Sequence, residues 1–131
     1  MQPTGAQEEP GRAADAVARL LTAFEKLDLP GAVAAITPDA VYQPDPQAEP
    51  IRGREAIGAL WASYFGKMHD YSLEQKTTAS TEGSVFVERV ETFTMGGRPY
   101  RVPVVGVFEL RDGLVSAWRD YWDTSMLAQP A

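Results

Sequence analysis

The chain has 131 residues, 44% of them apolar, a formal net charge of −6 and no cysteine. That length supports one domain with its own core, while the missing thiols exclude disulfides, thiolate zinc sites and cysteine nucleophiles, in keeping with a reducing cytoplasm. The acidic balance argues against nucleic acid or an anionic membrane as a partner, and no apolar run approaches the roughly 18 residues needed to cross a bilayer, so a small ligand, uncharged or cationic, is expected.

Met1 to Gly11 is polar and broken by proline and glycine, and reads as a disordered tail without the basic-then-apolar plan of a secretory leader. From Arg12, Val17, Leu20, Leu21, Phe24 and Leu27 recur at helical spacing and predict an amphipathic helix. Asp28 before Leu29-Pro30 predicts a stop and a new start, with Ala32, Val33 and Ile36 as the apolar stripe of a second helix that Pro38 ends. Ala40 to Gln43 reads as a short strand entering a proline-rich loop, Pro44 to Pro50.

After Gly53, the run Ile57, Leu60, Trp61, Tyr64, Phe65 and Met68 predicts a third helix. Strand-like segments follow at about 71–79, 84–94, 100–111 and 114–123, separated by Glu82-Gly83, Gly96-Gly97 and Asp112-Gly113. Helices first and strands after predict an α+β architecture: a single domain over 12–123, with three helices in the concave face of a curved, mostly antiparallel sheet and a C-terminal tail over 124–131. Such an arrangement leaves a cavity at one end, lined by alternate residues of each strand.

Two short stretches carry the chemistry. With a side-chain period of two, Arg89 and Glu91 share one face with Val85, Val87 and Phe93, while Trp118, Asp120 and Trp122 share one face of the last strand. Two carboxylates and a guanidinium on apolar faces are costly unless they pair, so they form either a functional cluster or a structural ion triad. The single histidine, His69, falls in the turn after the third helix and reads as a surface residue, so neither a metal site nor a cofactor is expected. Trp61, Tyr64, Phe65 and Met68 read as core or pocket wall, and Met95 to Arg98 as a hairpin tip.

The first helix, the phrase Ile51-Arg52-Gly53-Arg54-Glu55-Ala56-Ile57 and the closing Trp118-Arg119-Asp120-Tyr121-Trp122-Asp123 resemble the SnoaL-like, nuclear-transport-factor-like superfamily. Within it the polar positions are most similar to the limonene-1,2-epoxide hydrolases, which carry Arg-x-Asp, Trp-Arg-Asp-Tyr and Tyr-x-Asn. The resemblance implies a catalytic triad of Arg89, Glu91 and Asp120 supported by Tyr42 and Trp118. It departs at Glu91, where the family has a shorter acid, and at Pro44, where it has a water-holding Asn that Asp45 or Gln43 would have to replace. It also implies a homodimer, expected to pair through an outer sheet face bearing Tyr100, Val102, Val104 and Phe108.

Asp45-Pro46 with Glu49-Pro50 resembles the base-bearing loop of ketosteroid isomerases, which would make Asp45 a proton shuttle. The two donors of that family's oxyanion hole, however, fall at Leu20 and Gly106. A third relative, the polyether-type cyclases, opens epoxides with the substrate's own hydroxyl. The expected chemistry is thus epoxide opening on a small apolar substrate, with Asp120 as base, Glu91 as acid and Arg89 between them. Tyr42 would place the nucleophile, and Trp118, Trp122, Trp61, Phe65, Val87 and Phe93 would contact substrate. An isomerase using Asp45 and a non-catalytic binding module are the alternatives.

Overall fold

In the computed structural model, which describes residues 10–128, α1 spans Pro10–Glu25 and buries Ala13, Ala16, Val17, Leu20, Leu21 and Phe24 along one face. Pro10 and Gly11, assigned to the tail from sequence, open this helix; the rest of that segment lies outside the described residues. Leu27, expected to extend the stripe, instead sits past the helix end with a positive φ of 52°. There the Asp28 amide donates to the Ala23 carbonyl at 2.8 Å and the Leu27 amide to Phe24 at 2.9 Å, closing the helix with a Schellman-type turn.

Asp28 then caps α2, Leu29–Ala34, by accepting from the Gly31 amide at 3.1 Å. This helix is shorter than its apolar stripe suggested. Ile36 already begins β1, Ile36–Gln43, and Pro38 lies inside that strand, where the register against its neighbour shifts. A residue with no N–H to give is tolerated at such an irregularity. A two-residue strand β2, Ile51–Arg52, was not anticipated. Gly53 follows with φ 94° and leads into α3, Arg54–Lys67.

The remaining strands form the expected meander: β3, His69–Thr81; β4, Ser84–Met95; β5, Arg98–Arg111; and β6, Leu114–Tyr121. The six strands make one curved, unclosed sheet in the order β2-β1-β6-β5-β4-β3, antiparallel except where β1 runs parallel to β6. Helix α1 packs on β3, β4 and β6, and α3 packs on β1 and β2. Their shared core centres on Phe24, Tyr42, Trp61 and Trp118, with ring centroids 4.9 Å apart for Phe24–Trp61 and 5.1 Å for Tyr42–Trp118. Thr124–Ala128, expected as part of a tail, forms a short 3-10 helix that contacts β5.

The outer face of β5 is not the one expected. Val102, Val104 and Phe108 are buried, because they stand opposite Glu91, Arg89 and Val85 on β4 and so share the inner face. Tyr100, likewise opposite Phe93, stacks on it at 5.4 Å. The large apolar residues exposed on the outer sheet face are Phe86, Val105 and Tyr121.

Candidate active site

Arg89, Glu91 and Asp120 meet on the inner face. Because β5 lies between β4 and β6, the Arg89 side chain has to cross it to reach Asp120, and it does so over Gly106, which pairs with Val87 on one side and with Asp120 on the other. A Cβ at Gly106 would stand 2.8 Å from Arg89 Nη1 and 2.9 Å from Asp120 Oδ1, so the absence of a side chain there is what clears the crossing. Arg89 Nε donates to Glu91 Oε2 at 2.9 Å, and Nη2 donates to Asp120 Oδ2 at 2.8 Å. Nη2 also stands 2.8 Å from Glu91 Oε2. One guanidinium therefore holds both carboxylates.

Trp118 supports the cluster twice. Its indole N–H donates to Asp120 Oδ1 at 2.6 Å, and its ring lies 5.5 Å below the Arg89 guanidinium carbon. Burial pushes the Asp120 carboxyl up to about 6, with Arg89 opposing the shift and Glu91 adding to it. Burial also works against the Arg89 charge, but the two carboxylates outweigh it and its pKa ends up raised. The guanidinium is therefore permanently charged. With both acids ionised the cluster carries one excess negative charge; with one proton on the pair it is neutral.

A cavity of about 180 Å³ opens beside this cluster. Glu91, Asp120, Tyr42, Trp118, Trp122 and Phe93 line it, as the alternation of strand residues predicted. Tyr42 stays a phenol, its pKa raised well above the usual value by burial and by the charge of Asp120. Trp61 and Val87, expected at the substrate, are fully buried behind the wall, and Phe65 packs edge-on against Phe24 at 5.0 Å. None of the three lines the cavity. Their places are taken by Phe24, Val102, Val104, Met95, Lys67 and Leu127, while Tyr64 and Met68 line it as anticipated. Phe24 was hidden in a helical core stripe. The two valines were legible in principle: a two-residue turn at Gly96-Gly97 sets Met95 opposite Arg98, and that register carries Val102 to Glu91 and Val104 to Arg89.

The loop residues expected from the resemblance to replace a water-holding amide are occupied locally. Asp45 Oδ1 accepts from the Gln47 amide at 2.9 Å, Gln43 Nε2 donates to the Ala48 carbonyl at 3.2 Å, and neither lines the cavity. Pro44 does line it, and its carbonyl accepts from the Trp122 indole at 2.8 Å, tying the loop to the end of β6. His69 is exposed at the start of β3, and among the described residues no cluster of His, Cys, Asp or Glu is arranged to hold a metal.

The family model of the SnoaL-like domain matches residues 17–118. The chain belongs to this family. Among relatives of this SnoaL-like protein is epoxide hydrolase EphG of Mycobacterium tuberculosis, 29% identical over 108 residues that cover 82% of this chain and 71% of the relative. An LEH-like epoxide hydrolase structure from M. tuberculosis superposes with a TM-score of 0.82 at 27% identity, covering 93% of this chain and 90% of that one. A putative polyketide cyclase of Silicibacter sp. reaches a TM-score of 0.83 at 20% identity, covering 95% and 98%, a likeness of fold alone.

Proposed function

We propose that this SnoaL-like protein opens the epoxide ring of a small apolar substrate by concerted acid–base catalysis. The observation that carries the reading is the single guanidinium bridging Glu91 and Asp120 at the wall of an apolar cavity. Two carboxyl groups sharing a proton supply, at the same moment, an acceptor for the incoming oxygen's proton and a donor for the departing alkoxide. The kinship with epoxide hydrolases of this fold supports that assignment.

Asp120 is the base. In the reactive arrangement it is the ionised member of the pair and, with its carboxyl pushed up to about 6, a stronger base than a solvent-exposed aspartate. It takes the proton of the attacking water or hydroxyl as the new C–O bond forms. Glu91 delivers its proton to the epoxide oxygen as the strained C–O bond breaks, and the two carboxyls exchange a proton afterwards to reset. Arg89 offsets the charge that passes between them. Tyr42 orients the nucleophile, and Trp118 and Trp122 keep the surroundings dry so that these dipoles act at low dielectric. No covalent intermediate and no cofactor enter the scheme.

With Pro44 in the amide's position and Gln43 and Asp45 held in their own loop, the attacking oxygen has fewer protein partners, which favours a substrate hydroxyl as a second possible nucleophile. Turnover in 18O-labelled water separates the two: label in the product marks hydrolysis, and unlabelled cyclic ether marks intramolecular opening. If neither product forms from a panel of small apolar epoxides, the ring-opening reading is wrong. An isomerase would instead raise enone absorbance from a β,γ-unsaturated ketone and lose it in Asp45→Asn. A binding module would retain its ligand affinity in Asp120→Asn and show no turnover at all.

A homodimer is proposed through the sheet face that bears Phe86, Val105 and Tyr121. These are 41%, 40% and 46% exposed, and they adjoin because Val105 pairs with Tyr121 while Phe86 lies diagonally across on β4.

A further inference from the structure

Tyr71 is the residue that the scheme above leaves unused and the structure does not explain as packing alone. Its ring lies near Phe93 on the inner face, with centroids 6.4 Å apart, yet its hydroxyl is buried and makes no hydrogen bond. A phenol placed there forfeits its bond to water and gains nothing that phenylalanine would not supply more cheaply. Of the charged groups that act on that hydroxyl, the Glu91 carboxylate acts most strongly, with Arg89 and Asp120 after it. Glu91 has one oxygen to spare: Arg89 Nε and Nη2 both engage Oε2, and among the described residues no hydrogen bond to Oε1 is formed.

The backbone is bent to bring the two together. Leu73 stands opposite Glu91, and Tyr71 is its neighbour on the same face. Between His69 and Ser72 the β3–β4 register slips, with Asp70 at a positive φ of 53°. A non-glycine residue in that conformation costs energy, and an irregularity of this kind re-aims the adjacent side chain. Burial keeps the phenol protonated, so it remains a donor.

Resting on the epoxide-opening reading, we propose that Tyr71 is a positioning residue for Glu91: its hydroxyl donates to Oε1, turns the acid toward the cavity and receives part of the negative charge left when the proton has gone to the epoxide oxygen. The Glu91 carboxyl stands on a two-carbon stem that leaves it rotational freedom, and Tyr71 on β3 removes that freedom. The proton balance is unchanged, because Glu91 still gives the proton and the tyrosine keeps its own.

Tyr71→Phe removes one oxygen and nothing else. It should lower kcat roughly tenfold, the worth of one hydrogen bond to a charged group, with little change in KM. In a Glu91→Gln background the same substitution should have no further effect. No loss, or an equal loss in both backgrounds, would overturn the proposal. A second measurement needs neither substrate nor variant: with 13C in the tyrosine ring, the Tyr71 Cζ resonance should move with the midpoint of the Glu91 carboxyl carbon across a pH titration. Arg89, Asp120, Tyr42 and, at the cavity wall, Lys67 also face Glu91. Asp120→Asn is therefore titrated alongside, to separate the carboxyl that Tyr71 follows. A Tyr71 signal that ignores Glu91 would equally sink the idea. Failure of the epoxide reading shows up apart from this, as absence of turnover in the unmodified protein.

Discussion

Asp120 makes the sharpest demand on experiment, because its environment sets both its charge and its use. The one proton that the scheme needs on the pair is taken up as the pH falls through about 6, so kcat/KM for an epoxide should be highest just below that pH and fall as the pH rises past an apparent midpoint near 6. Initial rates between pH 4.5 and 8 in constant ionic strength check this. Asp120→Asn should cost about 10²- to 10⁴-fold in kcat, the range for loss of a positioned general base. Gly106→Ala tests the geometry while leaving the chemical identity of every reacting group unchanged. The added methyl would push against Arg89 Nη1, the Phe108 ring edge and Asp120 Oδ1, all within 2.9 Å, so it should both destabilise the fold by about 1–3 kcal/mol in urea and uncouple the ion triad. The residue that resembled a lost oxyanion donor is thus a clearance over which the arginine passes.

At the level of elements, the site is assembled from pieces that have no contact along the chain. The final 3-10 helix brings Leu127 to the cavity mouth, where it lines the wall while remaining 40% exposed. Leu127→Ala should therefore raise KM for an apolar epoxide about tenfold, within the usual worth of a few methylenes in a pocket, with kcat nearly kept. Steady-state kinetics on the variant decides it, and an unchanged KM would remove the helix from the substrate's surroundings. The proline-rich loop is held differently, by its own turn bonds at Asp45 and Gln43 and by the bond from Trp122 to the Pro44 carbonyl. Those bonds are why Asp45, a plausible base from its neighbours in sequence, is spent on shaping the loop.

For the whole molecule, the exposed strip of Phe86, Val105 and Tyr121 predicts self-association through the outer sheet face. Val105→Lys places a charge at its centre without disturbing the inner face, since Val105 points away from the cavity. Sedimentation velocity should then report a monomer with unchanged circular dichroism, where the unmodified chain gives a dimer. A monomer in both cases would refute the pairing.

Much of this protein could be read from its sequence because the relevant signals are local. Helical spacing at Val17 to Phe24, alternation at Arg89 to Phe93 and at Trp118 to Trp122, and glycine turns each act over a few residues, so elements and the faces of the two charged strands followed directly. What escaped was whatever depends on elements distant in the chain. Valines stand on both faces of β5, so composition could not say which face is buried; only the register against β4 does. The parallel docking of β1 on β6, the crossing of Arg89 over Gly106 and the approach of Tyr71 to Glu91 are likewise decided by three-dimensional packing. A side chain's chemical character is carried by the residue itself, whereas its protonation, its partners and its access to a cavity are properties of the neighbours that folding brings to it.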